Sequence, residues 1–150
     1  MLKIILVFAE LERNMTSERV TATMISRANS GLWNGGRIPF GYDYDPDKTA
    51  FSIREDEEKV CQMIKNDYME HKSLVHTSRM LNASGYKTRA GAEWSPTAVW
   101  IIISSPFYAG IYRYNRYKGT ERRVENPEDE WIMIQNHHPA IFSLEEHEKM

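Results

Sequence analysis

Basic side chains cluster between residues 79 and 123, where residue type and spacing indicate chemistry with a charged ligand. Eight arginines and lysines lie in this stretch against two glutamates, an excess of six positive charges, whereas the whole chain has a net charge of -2. Acidic residues concentrate instead in residues 43–58 and 125–130. A basic patch on a near-neutral chain is the usual electrostatic footprint of a module that binds nucleic acid phosphates. Charge alone is equally compatible with an ordinary solvated surface.

Patterns for catalysis or metal binding are weak. The candidate metal ligands are His137 and His138, with His147 and nearby glutamates. Adjacent residues on a strand point to opposite faces, so this pair is a poor chelate and a structural role is favoured. The single cysteine, Cys61, excludes an internal disulfide or a cysteine-based zinc site. No serine has the neighbours required of a nucleophile. We therefore predict no catalytic residue, no metal ligand and no cofactor.

Composition also limits the class of protein. Hydrophobic residues make up 41% of the chain, which is enough for a packed core. The apolar segment at residues 1–9 is too short for a signal peptide and runs without a cleavage motif into charged residues. No apolar run is long enough to span a membrane. Together with the single cysteine, these features predict a cytoplasmic protein with no membrane partner.

Residues 1–30 have the pattern of one long helix. Apolar side chains recur at helical spacing and form a single stripe, and residues 29–31 (NSG) supply a stop signal. The stripe has no partner within these thirty residues, so we expect it to pack on another surface, of which the following domain is the simplest. The candidate interface residues are Ile4, Phe8, Leu11 and Met15.

Residues 31–42 separate the long helix from the rest of the chain. Four of these twelve residues are glycine, one is proline and three are aromatic. Glycine permits positive φ and close approach of a second backbone, whereas proline restrains its own and the preceding residue. The composition predicts a shaped elbow and not a flexible linker. Arg37 within it could enter a narrow minor groove of DNA.

Residues 43–150 are predicted to form a small α+β domain. A hairpin over residues 40–54 turns at Asp45 and Pro46. Ser73 and Ser95 are candidate N-caps of the second and third of three short helices. The predicted helices cover residues 57–71, 73–85 and 95–104, and the predicted strands cover residues 110–118 and 131–135, before a final helix over residues 144–150. The fold class is therefore mainly helical α+β, with a long N-terminal helix and a winged helix-turn-helix-like domain that carries short β-hairpins.

In a winged helix-turn-helix the last of the three helices enters the major groove. Its buried stripe would be residues 99, 102 and 103, and its outward positions would include Thr97, Trp100, Ile101 and Ser104. For Trp100 and Ile101 a place in the core is an equally good interpretation, because residues 99–103 are all apolar. Ser95 and Thr97 could bond bases or phosphates at the helix start. The candidate phosphate contacts are Lys87, Arg89, Arg113, Arg116 and Lys118.

Seven short motifs resemble one protein family, the large serine recombinases of phage-integrase and transposon-resolvase type. Each motif is weak alone, but they occur in the family's order along nearly the whole chain. They are FAELER (8–13), SERV (17–20), the elbow (31–42), GYKTR (85–89), WSPTAV (94–99), PFYAG (106–110) and HPAI (138–141).

The resemblance implies a division into three parts. Residues 1–30 correspond to the end of the long helix that closes the family's catalytic domain, 31–42 to the elbow, and 43–150 to the recombinase DNA-binding domain. It also implies that the helix stripe packs on the catalytic domain and on a second subunit in a dimer or tetramer. Arg19 would lie near the crossover DNA, and the elbow would cross the minor groove.

The function implied by the resemblance is binding of attachment-site DNA for site-specific recombination. The parent recombinase, prokaryotic or phage-derived, would cut and rejoin DNA through a serine in its catalytic domain, and this chain alone would be inactive. Two alternatives remain open. A free-standing winged-helix transcription regulator would need its own dimerisation face. A protein–protein adaptor would show no salt-dependent affinity for duplex DNA.

Overall fold

The computed structural model describes residues 2–118 and 122–150, and this part of the chain is mainly helical with short strands, as predicted. The helices are α1 (Leu2–Asn29), α2 (Glu55–His71), α3 (Leu74–Ala83), α4 (Pro96–Ser104) and α5 (Leu144–Lys149). The strands are β1 (Tyr42–Asp45), β2 (Ala50–Ile53), β3 (Tyr112–Tyr114), β4 (Tyr117–Lys118), β5 (Val124–Glu125) and β6 (Ile132–Ile134). None of the helices within the described ranges combines the length and apolarity needed to cross a membrane.

The chain forms two compact units. The smaller unit contains the residues up to 35 together with 114–132, and the larger contains 36–113 with 133–150. The boundary therefore falls inside the predicted elbow. The expected division at residues 30 and 42 remains a proposal about domain identity.

Three mutually packed helices, α2, α3 and α4, form the core of the larger unit. Their facing side chains include Ile64, Leu81 and Val99, each with 0% exposure. Both predicted N-caps are present: Ser73 Oγ accepts from the His76 amide and Ser95 Oγ accepts from the Ala98 amide, each at 3.1 Å. Such caps satisfy amides that have no partner inside the helix.

Rings from distant parts of the larger unit form a second buried cluster. Tyr42 on β1 meets Phe107 and His138 edge-to-face, with ring centroids 5.0 and 5.4 Å apart. The Tyr42 hydroxyl donates to the Pro139 carbonyl at 2.7 Å. His138 is buried and bonds the Phe107 carbonyl through Nε2, and burial lowers its pKa to about 4. His138 is therefore a neutral core residue, in agreement with the structural role favoured from sequence.

The predicted first hairpin is confirmed. Strands β1 and β2 pair antiparallel, with Tyr42 opposite Ile53 and Asp45 opposite Ala50. Asp45 Oδ1 accepts from the amides of Asp47 and Lys48 at 2.9 and 3.3 Å. A side chain that bonds amides two and three residues ahead closes a turn locally, which explains why the turn was predictable.

The single strand predicted for residues 110–118 was wrong. Asn115 lies in the left-handed region, at φ 64°, and divides the segment into β3 and β4. Strand β3 pairs with β6, whereas β4 pairs with β5. The break is held by the buried Asn126, whose amide group donates to the Asn115 carbonyl at 2.9 Å and whose backbone amide donates to the Arg116 carbonyl at 2.7 Å.

In the smaller unit, the first half of the elbow folds back on the end of α1. Asn34 Nδ2 donates to the Met24 carbonyl at 2.8 Å, and Arg27 Nε donates to Asn34 Oδ1 at 3.1 Å. Gly31, at φ 79°, ends the helix, and the Leu32 amide bonds the Arg27 carbonyl at 2.9 Å. These contacts form a fixed cap, as expected of a shaped elbow.

In the larger unit, the second half of the elbow is held by one arginine. Arg89, in the loop between α3 and α4, donates to the carbonyls of Ile38 at 3.1 Å and Tyr42 at 2.7 Å. The same guanidinium forms two hydrogen bonds with the carboxylate of Glu57 at the start of α2, through Nε and Nη2. Arg89 and Glu57 are referred to below as the clamp.

The clamp places a charged carboxylate inside the fold. The Glu57 side chain is 8% exposed. Burial alone raises the pKa of Glu57, but hydrogen bonds from Arg89 and from the Gly41 amide outweigh it and lower the pKa below its ordinary value. Gly41 must be glycine here: its φ is 101°, and a Cβ would lie 2.7 Å from Ile141 Cδ1.

Replacing Arg89 with Met should reduce the free energy of unfolding at pH 7 by about 2–4 kcal/mol, because the buried Glu57 carboxylate then keeps only the Gly41 amide and the more distant Arg54, whose Nε lies 3.8 Å away. The expectation is below that for a fully buried pair because about a third of the Arg89 side chain (34%) is exposed. Urea unfolding measures the difference, with the exposed Lys87→Met as control.

The sign of the pH dependence provides a second readout. In wild type the lowered pKa of Glu57 means that this carboxylate contributes stability at neutral pH that is lost as the pH falls through the folded pKa. In the Arg89→Met protein the loss of the guanidinium raises the pKa of Glu57 relative to wild type, so the carboxyl group takes up a proton at a higher pH. The stability difference should narrow on acidification, and a constant difference would contradict the assignment.

Candidate nucleic-acid interface

Helix α4 is positioned by contacts at both ends. Asn82 on α3 bonds both backbone groups of Trp94, accepting from its amide at 2.8 Å and donating to its carbonyl at 2.9 Å. Trp94 is buried and meets Phe40 edge-to-face at 5.0 Å. After the helix, Ser105 Oγ caps the following 3-10 turn (Pro106–Ala109). Asn82 was not predicted, because nothing local to it indicates a partner twelve residues ahead.

The two faces of α4 differ sharply in exposure. Val99, Ile102 and Ile103 are buried at 0%, 3% and 5%, whereas Trp100 and Ile101 are each 54% exposed. The predicted inner stripe is therefore confirmed. Of the two interpretations of Trp100 and Ile101, placement in the core of the larger unit is excluded.

Some of the polar side chains on and next to α4 already form hydrogen bonds within the protein. Ser95 Oγ accepts the Ala98 amide as N-cap, which leaves its hydroxyl hydrogen able to donate. Thr97 is exposed one turn before Ile101. Ser104 Oγ donates to the Trp100 carbonyl at 2.6 Å. The outward surface of α4 thus consists mainly of Thr97, Trp100 and Ile101.

The basic residues predicted on the larger unit have different environments. Arg37 is exposed beside Gly35 and Gly36, which adopt φ of 90° and 98° with open space where side chains would be. Lys87 is about half exposed, and its Nζ lies 4.0 Å from the exposed carboxylate of Glu93. Arg113 is intermediate in exposure. Arg37 and Lys87 therefore have the accessibility that a phosphate contact requires.

Arg89 has an internal role that the sequence did not predict. All three guanidinium nitrogens bond partners inside the larger unit. A guanidinium satisfied by a carboxylate and backbone carbonyls has little capacity left for a phosphate. We therefore assign Arg89 to positioning of the elbow and the loop before α4.

The smaller unit carries two of the candidate phosphate contacts, Arg116 and Lys118. Arg116 bonds Glu125 Oε1 at 3.1 Å and lies over the rings of Tyr117 and Trp131, at 5.2 and 5.0 Å from their centroids. Its side chain is 33% exposed, so its main role is to hold the short β4–β5 pair. Lys118, at the end of β4, is exposed.

Helix α1 is exposed from residue 3 to residue 23, and only its last turns are covered, with Ala28 fully buried. The predicted stripe residues Ile4, Phe8, Leu11 and Met15 are 61%, 61%, 51% and 44% exposed. The apolar surface is wider than one stripe, because Ile5, Leu6 and Val7 are also more than 60% exposed. A helix that is apolar all round is normally covered. Arg19 is exposed further along the helix.

One cluster of potential metal ligands was missed from the sequence. Asp67, His71 and His76 place ligand atoms within 4.8 Å of one another. Asp67 Oδ2 accepts from Thr77 Oγ1 at 2.6 Å and lies 3.0 Å from His76 Nδ1. Burial raises the pKa of Asp67, but these hydrogen bonds outweigh it and keep the pKa below its ordinary value. The hydrogen bonds of Asp67 with Thr77 and His76 join α2 to α3, so we assign this cluster a structural role.

The family model named Recombinase matches residues 55–150, about two thirds of the chain. The chain belongs to the Recombinase family.

Individual relatives agree with this assignment. A protein of Bacillus subtilis (strain 168), named as a candidate DNA recombinase, is 27% identical over 119 residues, covering 73% of this chain and 23% of its own length. The crystal structure of a large serine recombinase–DNA complex has a TM-score of 0.62 at 22% identity, covering 87% of this chain and 37% of its own. A structure reported for the Listeria innocua prophage attP site gives the same TM-score and identity, with 48% of its chain covered. This chain thus spans about a quarter of the curated relative.

The two faces of α4 should respond differently to truncation. Ile102→Ala should lower the free energy of unfolding by about 2–5 kcal/mol, because it leaves a cavity in a packed core. Trp100→Ala and Ile101→Ala should change it by no more than about 1 kcal/mol, because both side chains are half exposed. Urea unfolding followed by far-UV circular dichroism measures all three. Equal losses for the three variants would contradict the orientation of α4.

Proposed function

We propose that this chain is the duplex DNA-binding part of a serine recombinase and that α4 lies in the major groove of attachment-site DNA. The observation that carries the proposal is the orientation of α4. Its inner face is buried against α2 and α3, while its outer face is unoccupied by any described part of the larger unit. Family membership and the fold shared with recombinases solved with DNA support this assignment.

The charges near α4 favour a polyanion. Residues 94–113, the segment of the larger unit that contains α4, have no acidic side chain and one basic side chain, Arg113. Lys87 precedes α4 in the larger unit, and Lys118 ends β4 in the smaller unit, so each unit offers an exposed cation. Phosphate contacts of this kind supply most sequence-independent affinity and fix orientation, whereas base contacts supply specificity.

Strand cleavage is assigned to a different part of the parent protein. The chain spans about a quarter of its curated relative, and no serine in it has the neighbours required of a nucleophile. The proposed contribution of this chain to recombination is recognition and placement of the DNA. The serine that forms the covalent phosphodiester intermediate would belong to the catalytic domain that the family resemblance implies.

Helix α1 is proposed to associate with a second subunit. Side chains of this size each contribute about 1.5–3 kcal/mol when buried. A surface with seven exposed apolar residues between positions 4 and 15 is therefore costly in water. Pairing of two copies through this surface would cover it, as would a catalytic domain in the parent.

DNA binding should weaken steeply as salt increases. On a short random-sequence duplex, each neutralised phosphate contributes about -0.9 to the slope of log affinity against log salt. Lys87→Gln and Lys118→Gln should each reduce the magnitude of that slope by about 0.9, measured by fluorescence anisotropy between about 50 and 200 mM salt.

The matched control is Lys48→Gln. Lys48 lies in the β1–β2 turn close to Asp45 and Asp47, which disfavour a phosphate, so this variant should bind like wild type. A slope near zero for the wild-type chain would remove the proposed function and favour an adaptor that binds protein.

Self-association of α1 should depend on its apolar surface. Ile4→Glu with Phe8→Glu should shift sedimentation from a concentration-dependent oligomer to a monomer in analytical ultracentrifugation. The control, Thr16→Glu with Ser17→Glu, adds the same charge beyond the seven apolar residues and off the face of Ile4 and Phe8, and should leave association intact. A wild-type protein that remains a monomer at all concentrations would contradict pairing through α1.

A further inference from the structure

The outward face of α4 lacks the side chains that usually read bases by hydrogen bonding. Direct readout commonly uses arginine or lysine for guanine and asparagine or glutamine for adenine. The helix sequence PTAVWIIIS contains none of these. Ser104, its last residue, uses its hydroxyl on the Trp100 carbonyl. The largest groups that α4 presents are the apolar side chains of Trp100 and Ile101.

One feature of the major groove matches an apolar surface. Thymine carries a C5-methyl group there, and apolar side chains contact it. Cytosine presents an amino donor in the groove instead, and an apolar neighbour would leave that donor without a partner. A tryptophan and an isoleucine on the reading helix therefore favour thymine and disfavour cytosine.

The distance between the exposed side chains of α4 determines how many base pairs its outer face can contact. Thr97 and Ile101 are four residues apart on one face, a rise of about 6 Å along the helix. Successive base pairs are separated by about 3.4 Å, so this surface covers two or three neighbouring pairs. The Thr97 methyl group extends the apolar surface at its N-terminal end.

We propose that Trp100 and Ile101 are specificity-determining residues that recognise the methyl groups of two or three adjacent thymines in the bound site. The inference rests on the proposed DNA-binding function and adds the base class that α4 selects. DNA is favoured over an apolar protein surface as the occupant of this face because residues 94–113, which belong to the same unit as α4, contain no acidic side chain, and the exposed Lys87 lies in the loop before the helix.

The test removes methyl groups without changing base pairing. Duplexes that bind the wild-type chain are first enriched from a random-sequence pool. Each thymine of an enriched duplex is then replaced singly by deoxyuridine, which pairs identically but lacks the methyl group. Affinity should fall about three- to fivefold at two or three adjacent positions, the size expected for losing one buried methyl contact, and stay unchanged elsewhere.

Variants assign the effect to α4. Trp100→Ala and Ile101→Ala should bind thymine and deoxyuridine duplexes equally at the sensitive positions while keeping the salt dependence of wild type. The matched control, Lys118→Gln, should weaken both duplexes by the same factor and preserve the methyl effect. Far-UV circular dichroism of each variant verifies folding.

The possible outcomes separate the inference from the proposed function. Salt-dependent binding without any deoxyuridine-sensitive position would overturn the readout and leave DNA binding intact. A methyl effect that persists in both alanine variants would also overturn it. Absence of salt-dependent binding by the wild-type chain would remove the proposed function itself.

Discussion

The ion pair between Arg89 and Glu57 is the interaction on which the larger unit depends. A carboxylate at 8% exposure needs a cation close by, and the loop before α4 supplies the one that hydrogen-bonds to it, with Arg54 Nε 3.8 Å away as a second. The same guanidinium bonds the Ile38 and Tyr42 carbonyls. The start of α2, the loop before α4 and the second half of the elbow are therefore fixed by one side chain. The face that α4 presents follows from the burial of Val99, Ile102 and Ile103 and from the hydrogen bonds between Asn82 and Trp94 just before the helix.

Features that depend on a few neighbouring residues were predictable from the sequence. The caps Ser73 and Ser95 and the turn at Asp45 involve bonds that span two or three residues, so residue type alone indicates them. The inner stripe of α4 follows from helical periodicity. The order of the elements and the family were also predictable, because several short motifs occur along the chain in the order typical of the family.

Features that depend on distant partners were not predictable. Arg89 and Arg116 resemble surface cations in the sequence, yet one bonds Glu57, 32 residues away, and the other bonds Glu125 across the β4–β5 pair. The break at Asn115 depends on Asn126, eleven residues later. The sequence pattern could not decide whether Trp100 is buried or exposed, because every residue from 99 to 103 is apolar. Only the packing of α4 in the structure distinguishes its two faces. Local chemistry thus identified α4 and its buried face, while long-range bonds determined which basic residues remain accessible.

If α4 contacts DNA through an apolar surface, affinity and specificity would come from different contacts, namely phosphate contacts and methyl contacts. A methyl contact contributes little affinity, so lysines such as Lys87 and Lys118 would have to supply most of the binding energy through phosphates. Specificity from methyl groups is also modest at each position, and it distinguishes A·T from G·C pairs without a strong directional hydrogen bond. The exposed Arg37 in the elbow would add to the same preference, because a narrow minor groove is characteristic of A·T tracts and attracts arginine. Under this proposal both contacts of the larger unit would select the same base composition from opposite grooves, and together they would compensate for the weak discrimination of either one alone.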